Sequence, residues 1–267
     1  MISGRTRVFA ILGQPVAHSL SPAMHNAAFQ ALGLDAVYVP INCQPGRVAA
    51  AIGALTSSGG GGNVTVPHKP EAAQALTRPS ALVTRVGAAN TFWSEGSEIV
   101  GDNTDVAGIV GALDQLEPPP GPWLLAGTGG GARAVAIAAA ERGVGLAIRS
   151  RASGRRMEFE QWVQSLGLAV ADSRECRVMI NATPLGLKAG DHLPLSADDA
   201  PEAEVALDLV YAPGGTLWVR SMRDLGLRAA DGRSMLVEQG AAAFRHWFPA
   251  EDAPVEIMRA AVESALH

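Results

Sequence analysis

Short apolar runs alternate with helical patterns along the whole chain. Val8 to Leu12 is an unbroken apolar run and predicts a buried strand. Ser21-Pro22 then reads as an N-cap followed by proline at the first helical position, opening a helix to about Leu32. Val37 to Ile41 predicts a strand, Val48 to Leu55 a helix, and Asn63 to Val66 a third strand. A β-like pair follows, Asn90 to Trp93 and Ile99-Val100, and then a helix from about Asp105 to Leu116. Glu117-Pro118-Pro119-Pro120-Gly121-Pro122 cannot continue a helix or sit in a central strand, so it predicts a stiff connector and a boundary.

Beyond the connector the alternation sharpens. Trp123-Leu124-Leu125-Ala126 is a strand-like run, Gly127-Thr128-Gly129-Gly130-Gly131-Ala132 follows at once, and Arg133 to Arg142 is an alanine-rich helical stretch. Strand, glycine turn and helix together form the context of a dinucleotide site. Gly127 makes the tight turn, Gly129 lets the backbone approach a pyrophosphate, and Ala132 fills the small position where helix packs on strand. The phosphates then lie at a helix N-terminus, where free N–H groups and the helix dipole favour an anion. Gly145 to Ile148 is the next strand and ends in Arg149-Ser150-Arg151, with no acid before Glu158. Arginine at that place suits a 2'-phosphate, which favours NADP over NAD. Strands at Val178 to Ile180 and Val205 to Val210 lead into the turns Asn181 to Gly186 and Tyr211 to Gly215. Ligands collect at strand carboxyl ends in such sheets, which makes both turns candidates for a binding face.

Composition narrows the class. The chain has 267 residues, 48% hydrophobic and 18% charged, as in a packed enzyme of one large or two smaller domains. A net charge of -5 without a basic run argues against nucleic acid or an anionic membrane as partner. Cys43 and Cys176 stand alone, which argues against a zinc site or disulfide framework and, with no signal peptide or membrane-spanning run, predicts a cytoplasmic protein.

Lys69 and Lys188 are the only lysines in a chain otherwise served by arginine. Lys69 closes the segment Gly62-Asn63-Val64-Thr65-Val66-Pro67-His68-Lys69. An ammonium can give up its proton where its surroundings favour the amine, whereas a guanidinium stays charged, so Lys69 is a candidate acid/base. Lys188 reads as a solvated loop residue. Gly101-Asp102-Asn103-Thr104-Asp105 is a polar cluster at a helix start.

These motifs, with Gly13 to Asn26, Gly87-Ala88-Ala89-Asn90-Thr91, Ile180 to Gly186 and Met235 to Gly240, are similar to those of the shikimate dehydrogenase family, in family order along nearly the whole chain. The resemblance implies reversible NADPH-dependent reduction of 3-dehydroshikimate to shikimate, in aromatic amino acid biosynthesis, with Lys69 and Asp105 catalytic and no metal needed. It implies that Ser19 and Ser21 bind the substrate carboxylate, while Asn63, Thr65, Asn90, Tyr211 and Gln239 bind its hydroxyls or position Lys69. On the cofactor side it points to Gly127, Thr128, Gly129, Gly130, Gly131, Ala132, Arg149, Ser150, Arg151, Asn181 and Thr183. Read from the residues alone, Ser21 and Asp105 serve equally as caps, Asn63 and Asn90 as turn residues, and Gln239 as an exposed helix position. His25 reads as packing along the first helix.

The NADP loop departs from the family. Where many members read Asn-Arg-Thr-x-x-Arg, this chain has Ile148, Arg149, Ser150 and, at the second arginine, Ser153, leaving Arg151 or Arg155 as substitutes. Gly59-Gly60-Gly61-Gly62 is expected to loosen the entry to the lysine segment. The implied fold is α/β with two domains and a deep interdomain cleft. Residues 1–104 form the substrate domain, rejoined by helices over 235–267, and residues 105–234 form an NADP-binding Rossmann domain. A quinate/shikimate or aminoshikimate dehydrogenase and a non-catalytic metabolite sensor stay open, as does the choice between monomer and homodimer.

Overall fold

The first apolar run becomes β1 (Arg7–Gly13), buried from Phe9 onward as a strand flanked on both sides must be. The structure is a computed structural model describing residues 2–187 and 190–266, so Lys188 lies outside the described residues. The chain continues through α1 (Ser21–Ala31), β2 (Ala36–Asn42), α2 (Val48–Ser57), β3 (Gly61–Val64), α3 (Lys69–Ala75) and β4 (Arg78–Pro79). Next come α4 (Ala81–Val86), β5 (Thr91–Glu95), β6 (Glu98–Asp102), α5 (Asp105–Asp114), β7 (Trp123–Ala126), α6 (Gly130–Arg142) and β8 (Leu146–Arg149). The remainder is α7 (Ser153–Ser165), β9 (Val178–Asn181), β10 (Val205–Asp208), α8 (Leu217–Asp224), β11 (Arg228–Ala230), α9 (Gly232–Trp247) and α10 (Val255–Ser264).

The chain divides into two compact units. One takes the chain up to Asp105 and again from Leu236 onward; the other is Val106–Met235. The proline-rich connector therefore lies inside the second unit, between α5 and β7, instead of marking a boundary.

The first unit holds a 6-stranded mixed sheet in the order β2-β1-β3-β5-β6-β4. β1 is parallel to β2 and β3, and β5 runs antiparallel to both β3 and β6. Phe9, Phe29, Phe244, Trp247 and Phe248 pack ring on ring beside this sheet, with centroids of Phe9 and Trp247 4.9 Å apart, so the C-terminal helices supply part of the core. β3 begins and ends two residues earlier than its apolar pattern suggests. Gly61 and Gly62 are buried in it, and a Cβ on Gly61 would come within 2.6 Å of the Phe92 carbonyl oxygen, while one on Gly62 would strike that of Ala10. Gly61 and Gly62 are thus sites of close backbone approach in a sheet, not part of a loose entry loop.

The second unit holds a 5-stranded parallel sheet in the order β11-β10-β9-β7-β8. Apart from the edge strand β11, its strands are mainly apolar and buried, as in a parallel sheet covered by helices on both faces. The α6 residues Val135 to Ala139 are fully buried, their small side chains allowing close approach to neighbouring elements. Trp218 and Met222 of α8 close another part of the core with Leu124, Met179 and Ala206.

Candidate functional site

In the first unit, Lys69 opens α3, Asp105 opens α5, and their side chains meet: Lys69 Nζ donates to Asp105 Oδ2 at 2.5 Å. The pair is largely withdrawn from water, with the lysine side chain 19% and the aspartate 6% exposed. Backbone geometry fixes both ends. Ala89 N donates to Lys69 O at 2.9 Å, and Asp105 N donates to Asn103 Oδ1 at 3.2 Å while Asn103 Nδ2 is anchored on Ala88 O at 2.9 Å. Asp105 is thus the recipient of a cap from Asn103. Its own carboxylate is left for Lys69 and for Asn90, whose Nδ2 donates to Oδ1 at 2.8 Å.

Asn90 is the hub of the cluster. Its Oδ1 accepts from Thr104 N at 2.7 Å and Thr91 Oγ1 at 3.0 Å, and its Nδ2 also reaches Gln239 Oε1 at 3.4 Å. Gln239 is buried on α9, with Nε2 donating to Leu236 O at 2.9 Å, so it is not an exposed helix position. Asn63 lies in β3, not in a turn. Its Nδ2 donates to Thr91 Oγ1 at 3.0 Å and its Oδ1 accepts from the Tyr38 hydroxyl at 2.7 Å. Thr65 follows β3, tied by its backbone N to Leu12 O at 2.8 Å.

Ser21 departs from the expected cap. It is the first residue of α1 behind Leu20, whose backbone is already helical, and no side chain caps the helix. Ser19 Oγ accepts the Ser21 N–H at 3.3 Å, and Ser21 is buried. The Tyr38 hydroxyl donates to Asn63, and burial pushes its pKa well above the ordinary value, against a smaller lowering by the nearby Ser21 side chain. Behind it His25 stacks on the Tyr38 ring at 4.6 Å, is fully buried, and is held neutral, its pKa lowered by desolvation to about 3.

The second unit carries the glycine turn. Gly127 has φ +111°, and a Cβ there would lie 2.9 Å from Ala182 O, so the turn after β7 needs glycine. Gly129 is the N-cap of α6 with no side-chain cap, and nothing lies within 4 Å of where a Cβ on Gly129 or Gly130 would stand. The first amides of a 13-residue helix are thus left without a side-chain cap, and helix starts of this kind hold pyrophosphates. A pocket of about 240 Å³ lies against this turn, lined among others by Thr128, Arg149, Ser150, Arg151, Arg155 and Thr183. Gly131 and buried Ala132 continue into the helix. The residues fit a phosphorylated dinucleotide.

Asn181 ends β9 fully buried and does not itself line that pocket, but it holds Thr183, which does. Its Oδ1 accepts from Thr183 N at 3.0 Å and Thr183 Oγ1 at 2.7 Å, and its Nδ2 donates to Asp208 Oδ1 at 2.9 Å. Asp208 is fully buried at the end of β10. Desolvation raises its pKa to about 6, against hydrogen bonds from Thr216, Val210 and Asn181 that lower it. Arg149 departs from the expected open position: its guanidinium forms an ion pair with Asp199. Tyr211 lies on the turn after β10, where Gly215 N donates to Ala212 O at 2.9 Å. Tyr38, Thr91, Asn103, Thr104, Asp199 and Asp208 are the parts that sequence reasoning misses. Thr91, Asn103 and Thr104 lie inside the motifs it singles out; Tyr38 and Asp208 sit in strand patterns that signal only packing, and Asp199 in an acidic loop.

Comparison with known proteins bears on these clusters. Residues 11–92 match the shikimate dehydrogenase substrate binding domain and residues 232–263 the shikimate 5'-dehydrogenase C-terminal domain. A shikimate dehydrogenase (NADP(+)) of Synechococcus sp. (strain JA-3-3Ab) is 38% identical, with 99% of this chain and 96% of that protein covered. The protein of the same description from Trichormus variabilis is 34% identical over 100% of this chain and 99% of its own length. Among solved structures, the shikimate 5-dehydrogenase of Thermus thermophilus in complex with NADP(H) and shikimate superposes with a TM-score of 0.87 at 37% identity, covering 97% of this chain and 99% of that one.

Proposed function

The chain belongs to the shikimate dehydrogenase family, and from that premise we propose that it catalyses the reversible NADPH-dependent reduction of 3-dehydroshikimate to shikimate, in aromatic amino acid biosynthesis. The observation that carries this reading is the buried Lys69–Asp105 pair, an acid/base group held by a carboxylate that Asn90 orients in turn. Lys69 Nζ gives a proton to the substrate oxygen as negative charge develops there and takes it back in the oxidation direction. Asp105 holds the ammonium in place, and the Asn90 hub restricts the carboxylate to one orientation. Ser19 and Ser21 take the substrate carboxylate. Asn63, Thr65, Asn90, Gln239 and Tyr211 take its hydroxyls or position the lysine.

NADP, when bound, supplies or receives the hydride. Gly127 to Ala132 would hold its pyrophosphate, and Ser150 with the arginines after β8 its 2'-phosphate. Thr183, held by Asn181, lines the same pocket. Among the described residues no helix is long and apolar enough to cross a membrane, and Cys43 and Cys176 are free and buried, which supports a cytoplasmic location.

The test is a spectrophotometric assay of the purified chain with NADP and NAD against shikimate, quinate and aminoshikimate. Shikimate with NADP is expected to give the highest kcat/KM. Failure to oxidise shikimate with either cofactor would reject the reading, and quinate or aminoshikimate turning over faster would reassign the substrate.

A further inference from the structure

Arg149 ends β8 at the pocket wall, yet it is paired with Asp199. Asp199 is fixed by its own turn. It closes the short 3-10 helix Ala197–Asp199, where its Oδ2 accepts the Ser196 N–H at 2.9 Å and its own N–H donates to the Ser196 backbone carbonyl at 3.1 Å. One carboxylate oxygen serves that turn and the other holds the arginine. The side chain of Asp199 is 18% exposed and that of Arg149 57%, so the acid is the anchored partner and the arginine the tethered one. Arg151 and Arg155 line the same pocket with no carboxylate partner among the described residues. Of the arginines around the pocket, then, the one at the family's position is neutralised and the two displaced in sequence are not.

We propose that Asp199 is a specificity-determining residue for the cofactor: it tethers Arg149 and cancels its charge, so that Arg151 and Arg155 read the 2'-phosphate. The inference rests on the cofactor assignment above. The physics is a competition for one guanidinium. A phosphate approaching Arg149 meets a fixed carboxylate on the same group, and the repulsion offsets the attraction, whereas a ribose hydroxyl meets no such penalty. NAD and NADP are consequently less well separated than three open arginines would separate them. The pairing also gives a physical account of the missing second family arginine at Ser153: the phosphate-reading charge has moved along the loop and onto the start of α7.

The variants are D199N, R149A, D199N/R149A and R151A/R155A. In D199N the amide oxygen still accepts the Ser196 N–H, so the turn survives while the charge goes. The readouts are calorimetric Kd values for 2',5'-ADP and 5'-AMP, which differ in the 2'-phosphate, and the NADP-to-NAD ratio of kcat/KM at fixed ionic strength. D199N should raise the preference for the 2'-phosphorylated ligand about threefold to fivefold, the scale of an exposed charge pair. That gain should vanish in D199N/R149A and shrink with added salt, which a purely structural role would not produce. R149A alone should change the preference by less than about twofold, and R151A/R155A should reduce it by more than about fivefold. A D199N preference that is unchanged or lower, or a gain that survives without Arg149, would overturn the inference while leaving NADP use intact. A wild-type chain that binds neither probe and turns over neither cofactor would overturn the cofactor assignment and this inference with it.

Discussion

The two units solve the same problem, holding a polar ligand, with opposite materials. In the first, specificity is built from buried side chains: Lys69, Asp105, Asn90, Asn63 and Gln239 form a hydrogen-bonded net in which Asn63, Asn90, Asp105 and Gln239 are at most 8% exposed. In the second the cradle is built from backbone, the glycine turn and the start of α6, with arginines lining the pocket beside it. A buried net fails sharply when one member is removed, because the remaining groups lose partners without gaining water. A backbone cradle is insensitive to most side-chain loss and is broken by adding atoms.

The sharpest break falls on the net. Lys69→Met should lower kcat by roughly 10²-fold or more, the scale of lost acid/base catalysis, with shikimate still bound by calorimetry. Near-normal turnover would remove Lys69 from the mechanism. For the cradle the matching change adds bulk: Gly127→Val places a side chain against Ala182 O and Thr183 at φ +111°, and should weaken NADP(H) binding about tenfold or more, at a stability cost of roughly 1–3 kcal/mol. Calorimetry and thermal melting measure both, and an unaltered Kd would detach the turn from the cofactor.

A smaller effect is expected where the carboxylate clamp sits. Replacing Ser19 and Ser21 together by alanine should raise KM about tenfold with kcat little changed, since that group is remote from the reacting carbon. Because Ser21 is buried near Tyr38 and does not cap α1, the stability loss of Ser21→Ala, about 0.5–1.5 kcal/mol, should be coupled to Tyr38→Phe in a double-mutant cycle. Additive losses would contradict that coupling.

The smallest effect separates the units by pH. The native Asp208 carboxyl, with pKa near 6, keeps a proton that the unfolded chain releases above about 4, so its contribution to stability is lost as pH rises from about 4 to 6. His25 works in reverse. With a native pKa near 3 it refuses a proton that the unfolded chain accepts below about 6.5, and stability is lost as pH falls through that range. Melting of Asp208→Asn and His25→Phe against pH should show opposite changes of slope, each on the order of 1–2 kcal/mol. Identical pH profiles for both variants would show that neither group titrates as described.

Much of this is legible along the chain because it is local. The strand–glycine–helix order around Gly127, the lysine segment and the polar start of α5 each lie within a dozen or so residues, and periodicity and turn chemistry read such distances well. What escapes needs a second strand or helix to make sense. Ser21-Pro22 has the form of a cap, but Leu20 is already helical and no side chain caps the helix. The Gly59–Gly62 run looks loose until β1 and β5 close over Gly61 and Gly62. Arg149 looks free until Asp199 arrives from fifty residues away, and the role of Asp208 exists only because Asn181 lies beside it in the sheet.

The interrupted make-up of the first unit has a consequence for how the polypeptide is made. On a ribosome its sheet strands emerge early, but Trp247 and Phe248, which cover Phe9 and Phe29, emerge only after the whole second unit. The second unit, continuous from Val106 to Met235, can close while the first still waits with an aromatic face uncovered. Nascent chains halted before α9 should therefore bind hydrophobic dyes and chaperones through the early strands and helices, and chains that include α9 and Phe248 should not; birth order, as much as sequence, decides when the Asn90 hub receives Gln239.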